Sequence, residues 1–359
     1  MNRAFAQRIA KTNERGIMIK NFEQLLGTAL QYKGKRVTVV YPNNVETLQA
    51  VYDATERTLA EFDLVGDAEL IRCKMGEMGE TGEPFTIVHQ ATVHDALAAS
   101  IDFVPQGRCD ILMKGGVDTS TMMRAVLQPD SGVRTGRLLS DICILEFPRR
   151  VENTFVMITD GGMTLAPNLK NKIALINNAV EVAHAPGNPN PNVAVLSATE
   201  FVVPSLQSTL DAAALSKMNE RGRIKGCVVD GPLALDNAIS PEAAAEKGLT
   251  SPVAGKAEIL IAANIESANS LAKSTTYFAG LRLAHVIVGG KVPIRIPSRA
   301  DKAKAKVLSI ALGVIMSEYY RTRGGRLIRG RTKHRRLLAS LDVFMASRSP
   351  VACRARLRS

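Results

Sequence analysis

The chain has no tryptophan, and only 4% of its 359 residues are aromatic although 46% are hydrophobic. Its core is therefore expected to consist of Ala, Val, Ile, Leu and Met, a composition typical of α/β proteins. Few aromatic side chains are left on which nucleic-acid bases would stack. A chain of this length is longer than one hydrophobic core usually supports, which predicts two domains.

Cysteine pairs and long apolar runs are missing as well. The five cysteines are odd in number and form no CxxC pair, which argues against a disulfide framework and against a metal site. The apolar run at 307–316 is ten residues long, whereas a membrane-spanning helix needs about 20. Residues 1–17 lack the apolar stretch of a secretory signal and are interpreted as an N-terminal extension. We expect a soluble, cytoplasmic protein with no metal and no membrane partner.

Positive charge is concentrated at one end of the chain. The formal net charge is +12, and residues 318–359 hold twelve Arg or Lys against two acidic residues. A segment rich in arginine without an apolar face is predicted to be disordered. The charge therefore indicates a basic tail, and no specific nucleic-acid partner is expected for the body. A non-catalytic protein that binds anions or nucleic acid through this tail is an alternative function.

Short apolar runs alternate with amphipathic stretches as far as Ser317. This succession predicts βαβ units and largely parallel sheets whose faces are covered by helices. Eight strands are predicted, namely RVTVVY, PFTIVH, CDILMKGG, NTFVMITD, NVAVLSA, KGCVVDGP, AEILIAA and AHVIVGG.

Several residues predict where helices begin and end. Ser240 followed by proline is typical of a helix start, and Ser208 with Asp211 resembles a capping box. Gly222 and Gly248 stand where two helices are expected to end.

The stretch at 111–127, ILMKGGVDTSTMMRAVL, is a candidate anion site. In open α/β sheets, ligands bind at the carboxyl ends of strands, beside helix N-termini. Lys114, Gly115, Thr119 and Arg124 are candidates for holding a phosphate there, with Gly115 allowing a close approach to the backbone. An ordinary capped helix with a solvated lysine is the alternative.

Two further stretches carry arginines that suit an anionic ligand. Arg134 and Arg137 stand three residues apart in SGVRTGRLLS, although a solvated pair would have the same spacing. In IPSRAD, Ser298 is placed to cap a helix, which puts Arg299 at its N-terminus. Helix N-termini favour anions, so an arginine at this point indicates a ligand such as phosphate.

Carboxylates cluster in VVDGPLALDNAISPEAA at 228–244. Asp230 is expected at the end of a strand, and Asp236 and Asn237 in the turn before the helix at Pro241. They are candidates for a general base or for binding a hydrogen-bond donor. Turn-forming residues are the alternative.

Familiar motifs of nucleotide and covalent chemistry are missing. The sequence has no GxxxxGK[ST], no GxGxxG, no GxSxG and no HExxH. A nucleotide kinase, a standard dinucleotide-binding domain and the usual covalent catalysts are therefore disfavoured.

In combination, MKGGVDTSTMMRAVL, GVRTGRLLSDICI, the stretch at 208–261 and VPIRIPSRAD resemble the phosphate acetyl/butyryltransferase family, and above all its butyryltransferase branch. The resemblance spans about residues 18–317. It implies two α/β domains like those of isocitrate and isopropylmalate dehydrogenases, an active site in the cleft between them, and a homodimer or higher homo-oligomer. Because the last segment of such folds returns to the first domain, we expect one domain over 18–140 plus 297–317 and a second over 141–296.

The resemblance also implies an activity. It is the reversible transfer of a short-chain acyl group, butyryl favoured and acetyl the alternative, between CoA and inorganic phosphate. CoA is a substrate in this reaction, so no cofactor is expected.

Site residues are implied at three matching positions. Ser298 and Arg299 match a pair that contacts CoA and phosphate groups in the acetyltransferase branch, and Arg124 matches an arginine of that branch. An aspartate proposed there as the base for the CoA thiol aligns with Ala305. Asp301 and the two aspartates of the 228–244 stretch are therefore the candidate bases.

Overall fold

The computed structural model describes residues 18–80, 84–147, 155–297 and 305–323. The chain divides into two compact units, Met1–Ser317 and Glu318–Ser359. Of the second unit only residues 318–323 are described, and they are helical. The predicted N-terminal extension and most of the predicted basic tail lie outside the described residues. Within the described ranges, every helix is too short or too polar to cross a lipid bilayer.

The described strands form one large sheet. They are β1 (Arg36–Val40), β2 (Glu61–Gly66), β3 (Thr86–His89), β4 (Ile111–Lys114), β5 (Ser140–Glu146), β6 (Phe155–Thr159), β7 (Asn192–Leu196), β8 (Val228–Leu233), β9 (Ile259–Ile261), β10 (Leu283–Val288) and β11 (Ile294–Arg295). Their order across the sheet is β3-β2-β1-β4-β11-β10-β5-β6-β9-β7-β8.

Most neighbouring strands in this sheet are parallel. Only the middle differs, because β10 is antiparallel to β11 and β5, and β5 is antiparallel to β6. The predicted α/β class with a mostly parallel sheet is thus confirmed. The division into two domains and the likeness to isocitrate dehydrogenase stay predictions.

Helices connect the strands. They are α1 (Phe22–Ala29), α2 (Val45–Glu56), α3 (Ala68–Glu77), α4 (Val93–Asp102), α5 (Thr119–Val126), α6 (Leu169–His184), α7 (Gln207–Glu220), α8 (Leu235–Ile239), α9 (Pro241–Glu246) and α10 (Ile265–Tyr277). Residues 305–317 form a further helix that completes the first unit.

The helix ends follow local sequence, with one exception. Ser240 caps α9 by accepting from the Ala243 N–H, and Gly222 and Gly248 have the positive φ angles of helix-terminating glycines. The capping box predicted at Ser208 is wrong. Helix α7 begins at Gln207 without a side-chain cap, because the Ser208 hydroxyl is bonded to Ser197 and Asp211 is bonded to Lys172.

Three strands, β2, β5 and β11, were not among those predicted. Apolar residues recur at helical spacing over residues 43–62, so the sequence predicts one long helix that includes the start of β2. In the structure α2 ends at Glu56, the chain turns through Thr58, whose φ is 54°, and β2 follows. Strand β11 has only two residues, too few for an alternating pattern. All eight predicted strands are present.

Two hydrophobic clusters fill one face of the sheet. The first cluster includes Val40, Leu112, Met122, Leu139 and Ile287. The second cluster includes Cys143, Ile158, Leu260, Ala268 and Leu283. Cys109 belongs to the first cluster as a small apolar residue. Burial raises the pKa of its thiol to about 11, so this thiol stays protonated.

A buried ion pair joins α6 to α7. Lys172 Nζ lies 2.7 Å from Asp211 Oδ2, and the two side chains are only 4% and 8% exposed. The other oxygen of Asp211 accepts from Gln207 Nε2 at 2.8 Å. Both oxygens of the carboxylate are therefore paired away from water.

We expect K172M to lower the free energy of unfolding by about 3–5 kcal/mol, because it leaves the Asp211 carboxylate buried without its cation. Urea denaturation measures the change. The matched control is K217M on α7, which breaks a pair with Glu220 whose side chains are 59% and 61% exposed, and should change stability by less than about 1 kcal/mol. Equal small losses in both variants would contradict the structural role of the buried pair.

Candidate active site

The first candidate stretch joins the end of β4 to α5. Lys114 Nζ donates to the carbonyl oxygens of Gly115 at 3.2 Å and Val117 at 2.9 Å, so this half-buried lysine is not simply solvated. Asp118 caps α5 by accepting from the Thr121 N–H, beside the exposed Thr119. Hydrogen bonds from Ser120 and Thr121 lower the pKa of Asp118. A carboxylate therefore already occupies this helix N-terminus, which favours the capped-helix alternative there.

Of the two glycines of this stretch, Gly115 is required by the fold itself, whereas Gly116 faces the movable end of the Asn43 side chain. A Cβ on Gly115 would lie 2.4 Å from the Val40 carbonyl oxygen, and one on Gly116 would lie 1.6 Å from Asn43 Oδ1. The loop that follows β1 therefore packs directly on this backbone. Gly115 has a structural reason to be glycine whether or not a ligand approaches it.

The two arginines of the loop between α5 and β5 have different surroundings. Arg134 is exposed and donates from Nη1 to the Leu127 carbonyl oxygen at 3.2 Å. Arg137 donates from Nη2 to Asn178 Oδ1 and to Glu181 Oε2, both at 2.6 Å. The Glu181 side chain is 4% exposed, so Arg137 neutralises a buried carboxylate of α6.

The prediction that the strand ends at Asp230 is wrong. Asp230 lies in the middle of β8, not at its end, and the strand continues through Gly231 and Pro232 to Leu233. The pairing with β7 shifts register at this point. Proline is tolerated because β8 is the edge strand, and a Cβ on Gly231 would lie 2.6 Å from the Val195 carbonyl oxygen.

Asp236 and Asn237 lie in the short helix α8 and not in a turn. Asp236 is exposed, whereas Asn237 is 1% exposed and its Nδ2 donates to Glu200 Oε2 at 3.4 Å. Lys247 Nζ donates to the other oxygen of Glu200 at 3.1 Å. Two hydrogen bonds to the Glu200 carboxylate lower its pKa. One comes from the backbone of Glu200 itself and the other from the Lys247 side chain. Sequence reasoning missed Glu200 and Lys247, which are distant from Asn237 in the chain.

The candidate residues fall into separate groups in the structure. Six strands lie between β4, which carries Lys114, and β8, which carries Asp230. Arg124 is exposed in the last turn of α5. Ser298, Arg299 and Asp301 lie outside the described residues. The meeting of these side chains around one ligand stays a prediction.

A second polar cluster, not foreseen from the sequence, lies where the two hydrophobic clusters meet. Asp160, directly after β6, is 3% exposed and accepts backbone N–H bonds from Asp141, Gly162, Met163 and Thr164. Burial raises the pKa of Asp160.

His285 completes this cluster. Its Nδ1 lies 3.4 Å from Asp141 Oδ1. A lone histidine inside the apolar strand LAHVIV was the available sequence signal.

Comparison with known proteins identifies the class to which this fold and site belong. The family model described as "Phosphate acetyl/butaryl transferase" matches residues 76–314. The chain belongs to this family of acyltransferases.

The matches to individual relatives cover nearly the whole length of each relative. Phosphate butyryltransferase of Clostridium beijerinckii is 42% identical over 302 residues, which are 84% of this chain and 99% of the relative. Phosphate acetyltransferase of Thermotoga maritima is 41% identical over 288 residues, 79% of this chain and 96% of the relative.

Solved structures share the architecture. A branched-chain phosphotransacylase from Enterococcus faecalis superimposes with a TM-score of 0.69 at 27% identity, covering 79% of this chain and 99% of that chain. A phosphotransacetylase from Streptococcus pyogenes gives a TM-score of 0.67 at 18% identity, with 83% and 99% covered, and shares the fold.

The surroundings of Arg134 and Arg137 predict different effects of substitution. We expect R137Q to lower the free energy of unfolding by about 1–3 kcal/mol, because Glu181 loses its cation. Both arginines are exposed, but R134Q should change stability by less than about 0.5 kcal/mol, since Arg134 donates to the Leu127 carbonyl oxygen and not to a buried carboxylate. Urea denaturation of both variants tests this, and a loss that is equal in the two would show that the Arg137 ion pair does not stabilise the fold.

Proposed function

We propose that the chain catalyses the reversible transfer of a short-chain acyl group, butyryl favoured, between CoA and inorganic phosphate. The observation that carries this proposal is the 42% identity to a phosphate butyryltransferase over 84% of this chain. Phosphate acetyltransferase is the second candidate, because a relative of that name is 41% identical.

Direct attack suits this chemistry. Phosphate is an anion at neutral pH and the CoA thiolate is a competent leaving group, so no enzyme nucleophile is required. Catalysis then depends on orientation and on stabilising the charge of the tetrahedral intermediate. CoA is a substrate, and the proposal includes no metal or cofactor.

Positive side chains and backbone N–H groups are proposed to hold the two substrates in a cleft between the halves of the sheet. The proposed anion ligands are Lys114, Gly115, Thr119, Arg124, Arg134, Ser298 and Arg299. Because Arg137 is bonded to Glu181, we propose that it positions the loop that carries Arg134. Asp230, Asp236 and Asp301 remain candidate bases, with Asn237 beside them. The homodimer implied by the family resemblance and the cytoplasmic location expected from the sequence stay proposals.

The acyl-CoA preference tests the proposed activity. In a thiol-release assay with phosphate, we expect CoA release from acetyl-, propionyl- and butyryl-CoA, with the highest kcat/KM for butyryl-CoA, because each buried methylene contributes about 0.8 kcal/mol to binding. Omission of phosphate is the control and should abolish release. Highest kcat/KM for acetyl-CoA would favour the acetyltransferase alternative, and no phosphate-dependent release from any of the three would reject the activity.

A truncation separates this enzyme from a binder that works through its basic tail. We expect a variant lacking residues 324–359 to retain the kcat and KM of the full chain, because the family match ends at residue 314. Binding of the full chain to heparin should weaken with salt, as electrostatic contacts do, and should be lost on truncation. Loss of acyl transfer in a truncated chain that still unfolds cooperatively would assign the tail a catalytic role.

A further inference from the structure

Strand β10 passes from one hydrophobic cluster to the other. Leu283, His285 and Ile287 are every second residue of this strand, so their side chains lie on the same face of the sheet. Leu283 belongs to the second cluster and Ile287 to the first. His285 therefore lies at the boundary between the two apolar groups.

The neighbouring strand repeats this arrangement. Leu139, just before β5, belongs to the first cluster, and Cys143 belongs to the second. Asp141 stands between them. Because Cys143 pairs with His285 and Asp141 with Ile287, the antiparallel register places the aspartate diagonally beside the histidine.

The two polar side chains form a pair that is partly open to solvent. His285 Nδ1 lies 3.4 Å from Asp141 Oδ1, and the side chains are 27% and 18% exposed. Gly162 leaves room for the carboxylate, since a Cβ there would lie 3.0 Å from Asp141 Oδ2. Asp160 accepts from the Asp141 N–H at 3.3 Å and from the Gly162 N–H at 3.0 Å. The loop after β6 thus fixes the backbone around the pair.

Charge at the boundary favours a protonated imidazole. Burial lowers the pKa of His285, but Cys143 and Asp141 outweigh this effect and raise the pKa well above its usual value. Asp160 after β6 is the other titratable group that the described residues place here. From the helix at 305–317, the Ser309 hydroxyl accepts from the backbone N–H of His285, not from its ring, at 3.0 Å.

We propose that His285 transfers the proton of the CoA thiol during acyl transfer and that Asp141 is the positioning residue that orients its ring. This inference rests on the proposed function. The pair is partly exposed and lies between the two hydrophobic clusters, where the proposed function puts the cleft between the halves of the sheet. The ring is hydrogen-bonded to both Asp141 and Cys143. The side chain is 27% exposed, and this exposed part of the ring is what a substrate can reach. Ala305, one turn before Ser309, has no side chain that ionises.

The reaction balances with one proton. A phosphate oxygen bonds to the thioester carbonyl carbon, the C–S bond breaks with its electron pair going to sulfur, and a proton of the His285 imidazolium passes to that sulfur. The products are acyl phosphate and CoA thiol. In reverse, neutral His285 takes the thiol proton while sulfur bonds to the carbonyl carbon and the bond to the phosphate oxygen breaks. Solvent restores the starting protonation state of the ring.

The test compares H285Q with H94Q in the full chain, using butyryl-CoA and phosphate. His94 is a matched control, because it lies 3.8 Å from Asp95 but its side chain is 92% exposed. We expect H285Q to lower kcat about 100-fold, within the usual range for general acid–base catalysis, with KM little changed. H94Q should retain the kcat of the parent chain.

The pH profile distinguishes proton transfer from a structural role. In the parent chain, kcat for acyl-phosphate formation should fall as the pH rises through the pKa of His285, and H285Q should lack this fall. D141N keeps the histidine but removes a negative charge, so the fall should move to lower pH. This second variant also tests the inference if H285Q does not fold.

A structural histidine would behave differently. Because folding raises its pKa, the protonated ring would stabilise the fold fully below the unfolded value of about 6.5, and this stabilisation would disappear as the pH rises through the folded value. H285Q would then lose stability at low pH while kcat stayed within about threefold of the parent. That result, or a D141N profile identical to the parent, would overturn the inference.

Failure of the underlying activity gives a distinct outcome. A parent chain that releases no CoA from any short acyl-CoA would reject the proposed function itself. An active parent with an unimpaired H285Q variant would reject only the role of His285.

Discussion

The antiparallel contact between β10 and β5 is the constraint on which the rest of the sheet depends. Six residue pairs, from Leu283 with Leu145 to Val288 with Ser140, join the strands of the first half to those of the second. A slip of one residue would turn every side chain on these strands to the opposite face. Leu139 and Ile287 would then leave the first cluster, and Cys143 and Leu283 the second. The same register therefore maintains both cores and the polar pair between them.

Much of the fold could be predicted from local pattern. Strands such as NVAVLSA and AEILIAA read correctly because apolar runs bounded by polar turns need no distant information. The strand at 228–233 was also predicted, but its end was placed too early, at Asp230, because glycine and proline usually mark a turn. Only the position of β8 at the sheet edge explains why the strand continues through them. Whether a strand lies at an edge depends on topology, which local pattern does not contain.

The candidate site was harder to predict for a related reason. The chemistry of each stretch was visible, but the partner of each side chain lies far away in sequence. Arg137 was read as an anion ligand, yet Glu181, 44 residues further on, accepts its hydrogen bond. Asn237 was read as part of a turn, yet Glu200 is its partner, 37 residues earlier. The spacing of residues within a motif predicts which of them lie on the same face. It does not predict which charged residue of another helix or strand will contact them.

Polar residues at the boundary of two apolar clusters require a physical explanation. Desolvating a carboxylate and an imidazolium is costly, and an apolar pair of similar volume would often pack there with equal or greater stability. Leucine or isoleucine at the positions of His285 and Asp141 would extend the two clusters into one continuous core. The ion pair interrupts that core and leaves a partly solvated polar strip along the middle of the sheet. A strip of this kind contributes little to folding, and the proposed proton transfer would give its two charged side chains a function that an apolar pair could not perform.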